Sequence, residues 1–206
     1  MALDRIPLPT AVELTTAIAS LVDWIEVGTS MVKQYGRNGL EAVVEAAGGT
    51  PVLADLKTVD DVRFELALAY DAGAGSATVL GLSPSATIDA AVAFAAERGR
   101  ELVVDLMGLS QAQIGALVER LPHQVVLSPH ISKDVQASGA RAAELLGPWS
   151  AGRRIALAGG LTAADLPALR THTDLRVIVG SAVTGAADPL KAVLELRSAA
   201  GMDDER

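Results

Sequence analysis

The sequence predicts an α/β protein of the (β/α)8 TIM-barrel class, organised as a single domain over residues 1–206. Three observations lead there. Short apolar runs alternate with Ala-rich amphipathic segments, strand then helix, eight times at a spacing of about 25 residues. Half of the chain is hydrophobic but only 3% is aromatic, so the core is built from Ala, Val, Leu and Ile, which suits parallel strands covered by close-packed helices. No linker or shift of composition divides the units. Eight βα units close a barrel; a doubly wound open sheet is the alternative arrangement of the same alternation.

Taken in order, a minimal strand over 1–3 ends at Asp4 and is followed by the breakers Pro7 and Pro9. Ala11, Leu14, Ala17 and Ile18 recur at helical spacing and predict a helix over 10–19. The second strand covers 24–27, with Glu26 inside it, and the next helix covers 37–47, closed by Gly48-Gly49. A strand over 52–57 leads to a helix over 60–71, a strand over 76–80 to a helix over 85–98, and a strand over 101–106 to a helix over 110–120 that Ser110 caps. A strand over 124–128 delivers Pro129-His130, and a helix is expected over 133–146. The seventh strand, 154–158, runs into Gly159-Gly160, with Thr162 capping a short helix; the eighth, 175–179, runs into Gly180-Ser181. Asp188-Pro189 is an N-cap followed by proline at the first helical position, the helix reaching about residue 200. Residues 201–206 are expected to fray.

Bulk properties remove several function classes. A net charge of −8 and a pI near 4.8 argue against nucleic acid or an anionic membrane as partner. The absence of cysteine removes disulfides, thiolate metal sites and cysteine nucleophiles. No secretory leader opens the chain and no apolar run reaches membrane-spanning length, so a soluble, cytoplasmic protein is expected.

Charge sits where a core strand should have none. Val52, Leu53, Ala54 and Leu56 make an apolar run that Asp55 and Lys57 interrupt. Residues two apart on a strand share a face, so Asp55 and Lys57 project together near the carboxyl end of the strand, with Asp60 just beyond. They are either an ion pair that holds the strand in register or a catalytic D-x-K-x-x-D cluster at a barrel mouth. Asp4, Glu26, Asp105 and His130 also lie at or just past carboxyl ends of strands, and the placement of all six favours the second reading. Glu26 and Asp55 belong to neighbouring strands, about 5 Å apart between backbones. Two such carboxylates repel unless a proton or a cation lies between them. Either Lys57 neutralises them, or a hard, oxygen-seeking ion does, for which magnesium fits best. Gly159-Gly160 and Gly180-Ser181, after the last two strands, offer backbone amides that could hold a phosphate.

These residues resemble the orotidine-monophosphate-decarboxylase suprafamily, in the branch of 3-hexulose-6-phosphate synthase and 3-keto-L-gulonate-6-phosphate decarboxylase. The resemblance runs through ALD at 2–4, IEVGT at 25–29, ADLKTVD at 54–60, TVLG at 78–81, LVVD at 102–105, H-x-x-x-D-x-Q-A-x-G at 130–139, AGG at 158–160 and IVGSAVT at 178–184. It implies a sugar-phosphate lyase working through the 1,2-enediolate of a pentulose 5-phosphate, with Mg2+ on Glu26 and Asp55 and with Asp4 among the substrate-binding residues. Lys57 would stabilise the oxyanion, and His130, from the residue class that exchanges protons near neutral pH, would move the proton. It also implies a homodimer in which Asp60 reaches the partner's site.

Within the branch, Asp105 after LVV, the TVLG segment and IVGSAVTGAADP resemble the synthase. His130-Ile131-Ser132-Lys133-Asp134 resembles the decarboxylase's H-R-S-R-D, with Lys133 in place of its arginine. Ser181 replaces both the decarboxylase's phosphate-binding arginine and the synthase's glycine, and Ser30 stands where proline is common. The expectation is therefore aldol addition of formaldehyde to ribulose 5-phosphate. Decarboxylation of 3-keto-L-gulonate 6-phosphate or a related lyase reaction comes second, and a non-catalytic sugar-phosphate-binding barrel is the reading from another class.

Overall fold

Each apolar run of the sequence becomes a strand of one parallel sheet. A computed structural model describes residues 1–136 and 142–202. The strands are β1 (Ala2–Leu3), β2 (Ile25–Val27), β3 (Val52–Thr58), β4 (Ser76–Leu80), β5 (Glu101–Asp105), β6 (Val126–Ser128), β7 (Ile155–Ala158) and β8 (Leu175–Ile178). Each pairs with its sequence neighbour, in the order β1 to β8. The ring is brought round by the Ala2 N–H, which donates to the Val179 carbonyl at 2.8 Å. This is the closed barrel expected, and the open doubly wound sheet is excluded.

Alternation along the strands separates two cores. Leu53, Val103, Val126 and Ala156 point inward and, with Trp24 and Ile178, fill the barrel. Residues of opposite phase, among them Leu3, Ile25, Ala54, Val104, Leu127 and Leu157, pack against the helices. At the amino-terminal end, Glu101 accepts hydrogen bonds from Arg154 Nη2 at 2.9 Å and from Arg176 Nη1 at 3.0 Å. The Arg176 guanidinium lies 4.0 Å from the centre of the Trp24 ring, so cation–π attraction and an ion pair close that end.

The described helices are α1 (Leu8–Ile18), α2 (Thr29–Ala46), α3 (Val62–Asp71), α4 (Ser85–Glu97), α5 (Gln111–Arg120), α6 (Lys133–Gln136), α7 (Leu166–Leu169), α8 (Ser181–Thr184) and α9 (Pro189–Ala200). Ser110 and Gln113 form the reciprocal capping box of α5, and Asp188 caps α9 by accepting the Lys191 N–H at 3.0 Å. Three expectations are corrected. Helix α2 starts at Thr29 rather than residue 37, because the chain continues through a break at Gly36, whose φ of 57° is unhindered only in glycine. Thr162 does not cap α7; its hydroxyl instead donates to Asp165 Oδ2 at 2.8 Å, and Asp165 precedes the helix. The short α8, immediately after Gly180, was not expected. Of the helix expected over 133–146, residues 137–141 lie outside the described residues, as do 203–206 of the expected tail; α6 covers the beginning, and 142–145 form a 3-10 turn.

Candidate active site

Strand register sets the depth of each polar side chain. Glu26 pairs with Ala2 on one side and Leu53 on the other, so Asp4 and Asp55, each two residues further along, share its face one layer nearer the mouth. Asp105 pairs with Leu80 and with Ser128, and His130, two residues past Ser128, is held by a bridge to Ala158 of β7. These residues therefore converge inside the carboxyl end of the barrel.

Lys57 is their hub. Its ammonium lies 3.1 Å from Asp55 Oδ1 and 3.3 Å from His130 Nδ1, and it pairs with Asp105 Oδ2. It reaches them from an irregular backbone: Lys57 has φ +49°, and the register of β3 against β4 shifts between Ala54 and Thr58. A left-handed non-glycine residue is strained. Thr78 secures it, its Oγ1 accepting the Lys57 N–H at 2.8 Å and donating to Asp55 Oδ1 at 2.9 Å. Burial alone would lower the Lys57 pKa, but Asp55 and Asp105 more than reverse this and hold the ammonium above its ordinary range. Burial pushes Asp105 up, while the hydrogen bond to His130 and the Lys57 charge overcome it and keep the carboxyl below its ordinary range. His130 Nδ1 faces both Asp105 Oδ2, at 3.2 Å, and the Lys57 ammonium, at 3.3 Å.

The acidic side is under-neutralised. Thr29 Oγ1 donates to Asp55 Oδ2 and Ser30 Oγ to Asp4 Oδ1, each at 2.6 Å. Glu26 Oε2 is buried without a hydrogen-bond partner among the described residues. Burial first, then Asp55, push the Glu26 carboxyl up to about 8. An orphaned carboxylate oxygen beside a second carboxylate fits a divalent cation, and an all-oxygen donor set suits a hard one. Among the described residues no three acidic or imidazole side chains are arranged to hold a metal ion by themselves. The protein would thus supply two ligands and leave the remaining positions to water and substrate, the usual habit of magnesium.

Of the other expected site residues, Asp60 is exposed on the β3–α3 loop, its Oδ1 accepting the Asp61 N–H, and it does not join the cluster of its own chain. Lys133 opens α6 just past His130, but its side chain lies outside the described residues. Gly159 and Gly160 have φ +120° and +68°. A Cβ on Gly159 would come within 2.9 Å of the Ile131 backbone, so glycine is needed where the loops after β6 and β7 touch. Gly180 precedes α8, and its carbonyl accepts the Val183 N–H at 2.9 Å. The hydroxyls of Thr29, Ser30 and Thr78 are the participants that the sequence reading missed. Their signal was a hydroxyl residue beside, or on a strand adjacent to, each charged strand end. A cavity of about 480 Å³ lies elsewhere, between β8, α7 and α9, reaching Glu26 from below.

Comparisons with known proteins agree with this arrangement. The family model described as orotidine 5'-phosphate decarboxylase / HUMPS family matches residues 1–196. A 3-hexulose-6-phosphate synthase of Mycobacterium gastri is 34% identical over 203 residues, covering 97% of each chain. The crystal structure of a 3-hexulose-6-phosphate synthase from Salmonella typhimurium superposes with a TM-score of 0.86 at 32% identity, covering 98% of each chain. A 3-keto-L-gulonate-6-phosphate decarboxylase from Vibrio cholerae superposes with a TM-score of 0.82 at 25% identity, covering 99% of this chain and 97% of the other.

Proposed function

We propose, since this chain belongs to the orotidine 5'-phosphate decarboxylase / HUMPS family, that it is a carbon–carbon lyase of the 3-hexulose-6-phosphate synthase type, joining formaldehyde to ribulose 5-phosphate. The carrying observation is the Lys57 ammonium fixed between Asp55 and Asp105 and beside His130. It is a preorganised cation where an enediolate oxygen would develop charge, next to the His130 imidazole.

His130 Nε2 takes the C1 proton, the C–H electron pair becomes the C1–C2 double bond, and the former carbonyl oxygen carries the charge opposite Lys57. C1 then bonds to the formaldehyde carbon, and the imidazolium returns its proton to the formaldehyde oxygen. Asp105 orients the imidazole through Nδ1 and stabilises it when charged. Glu26 and Asp55 would hold a divalent ion, magnesium by its donor set, which when bound supplies Lewis-acid stabilisation of the sugar oxygens. Asp4 and Asp55 face the sugar hydroxyls, and the amides around Gly159, Gly160, Gly180 and Ser181 take the phosphate.

The active form is a cytoplasmic homodimer in which Asp60 completes the partner's site. The exposed apolar side chains next to Asp60 support this: Val59, Phe64 and Leu68 on the β3–α3 loop and α3, and Leu82 after β4. Phe64→Asp is expected to convert the dimer to monomer in light scattering, with activity falling in parallel; a fully active monomer would remove Asp60 from the reaction.

The deciding experiment offers ribulose 5-phosphate with formaldehyde, and separately 3-keto-L-gulonate 6-phosphate, in deuterium oxide with magnesium, followed by NMR. Hexulose 6-phosphate should form in the first, and without formaldehyde the C1 proton should exchange. Turnover of the keto acid alone would reassign the chain to the decarboxylase type. Silence with both would leave a sugar-phosphate-binding barrel.

A further inference from the structure

The first turn of α2 reaches two carboxylates on different strands through adjacent hydroxyls. Thr29 Oγ1 donates to Asp55 Oδ2 at the end of β3, and Ser30 Oγ donates to Asp4 Oδ1 past the end of β1. Because β2 lies between those strands, the pair reaches out on either side of Glu26. Ser30 Oγ also accepts the Arg5 N–H at 2.9 Å. That second bond gives the first its direction: the hydroxyl has one proton, and with Arg5 donating to the oxygen the proton points at Asp4. Arg5 has φ +52°, a left-handed turn costly for a non-glycine residue, and the bond to Ser30 holds that turn.

From the other side, the Asp4 carboxylate lies against Gly28, where an added Cβ would come within 2.4 Å of it. Asp4 is thus clamped between the bare backbone of Gly28 and the hydroxyl of Ser30. Its Oδ2 has no hydrogen-bond partner among the described residues. A serine orients a carboxylate without discharging it, unlike the lysine that grips Asp55. We propose that Ser30 is a positioning residue that aims Asp4 at a hydroxyl of the sugar phosphate, its direction locked by the Arg5 amide. The inference rests on the reading of Asp4 as a substrate-binding group under the proposed function.

Ser30→Ala, Ser30→Thr, Asp4→Asn and the Ser30→Ala/Asp4→Asn double variant would be compared with the unaltered protein by deuterium exchange at C1 of ribulose 5-phosphate, with saturating magnesium. Ser30→Ala should raise KM about tenfold, as for loss of one hydrogen bond to a charged group, with kcat within about twofold because Asp4 moves no proton. Ser30→Thr should restore the KM. In the Asp4→Asn background, Ser30→Ala should add less than about twofold, since the group it positions is already impaired. Full multiplication of the two effects, an unchanged KM, or a loss confined to kcat would overturn the proposal. No exchange by the unaltered protein would instead overturn the function itself, a result distinct from an active enzyme in which Ser30 and Asp4 act independently.

Discussion

At the amino-terminal end of the barrel, Glu101 accepts hydrogen bonds from Arg154 and Arg176, and Arg154 also lies 3.5 Å from Asp174, so two carboxylates meet two guanidinium groups. At the carboxyl end, Asp55 and Asp105 share the Lys57 ammonium, while Asp4 and Glu26 have no ion-pair partner among the described residues. Both clusters sit within the same ring of strands. The lower one is balanced, stacked on Trp24 and built from planar forks suited to carboxylates. The upper one is short of positive charge and leaves Glu26 Oε2 orphaned. Under the proposed function, a cation and a sugar would fill that deficit. Satisfaction marks the structural end, and deficit the chemical end.

The largest test of this contrast is Lys57→Ala. Removing the ammonium that Asp55 and Asp105 share should lower C1 proton exchange by about 10³-fold, the size of losing a preorganised oxyanion donor. Exchange within tenfold of the unaltered protein would mean that the lysine is there only for register. Glu101→Ala is the mirror experiment. It leaves Arg154 and Arg176 facing each other and should cost about 3–5 kcal/mol in chemical denaturation, while activity per folded molecule stays unchanged. A large loss of activity at full stability would erase the distinction between the ends.

Glu26 sharpens it through pH. Its carboxyl is raised from 4.5 to about 8 on folding, so in that window the folded state binds a proton that the unfolded state does not. The associated stability is present at low pH and is lost as pH rises through about 8. Burial pushes the Met1 amino group down from 8.0 to about 6, an opposite slope in the same window, so the test is a difference: in chelator, Glu26→Gln should gain about 2–3 kcal/mol on the unaltered protein between roughly pH 6 and pH 8. Magnesium should restore stability at the upper pH for the unaltered protein alone. Parallel profiles of the two proteins in chelator would show that Lys57 neutralises the pair without help. The smallest effect belongs to Thr78→Val, which removes the hydroxyl joining Asp55 to the strained Lys57 backbone. About 1 kcal/mol of stability and about tenfold in exchange rate should go with it.

Much of this was legible from residue order. Eight apolar runs alternating with helical segments fix the ring, and period-two alternation correctly put Asp55 and Lys57 on one face, where they bond at 3.1 Å. Alternation could not reveal that Lys57 arrives there through a left-handed residue and a register shift, because that irregularity is imposed by Thr78 on another strand. The helper hydroxyls were invisible for a related reason: serine and threonine are ordinary at helix starts and in strands, and only the fold shows which carboxylate each one meets. The lower cluster was missed although its signal was present. Glu101, Arg154 and Arg176 are charges at or near the beginnings of three apolar strands, the same anomaly that drew attention to the strand ends. Asp60 shows the opposite limit: its place in the D-x-K-x-x-D spacing brings it only to the neighbouring Asp61 N–H, not to Asp55 or Lys57.

The seam between the first strand and the last has a consequence for how the molecule is made. β1 is two residues long and docks on β2 through the Glu26 and Gly28 amides, contacts available as soon as the first βα unit emerges from the ribosome. Its other edge waits for Val179, near the far end of the chain. Every member of the cluster around Lys57 precedes residue 131, whereas the last partner of β1 comes only at residue 179. Ring closure is a late, long-range event with a large loop-closure cost. During translation the growing edge of the sheet, rather than the active site, is the part that a chaperone would have to shield.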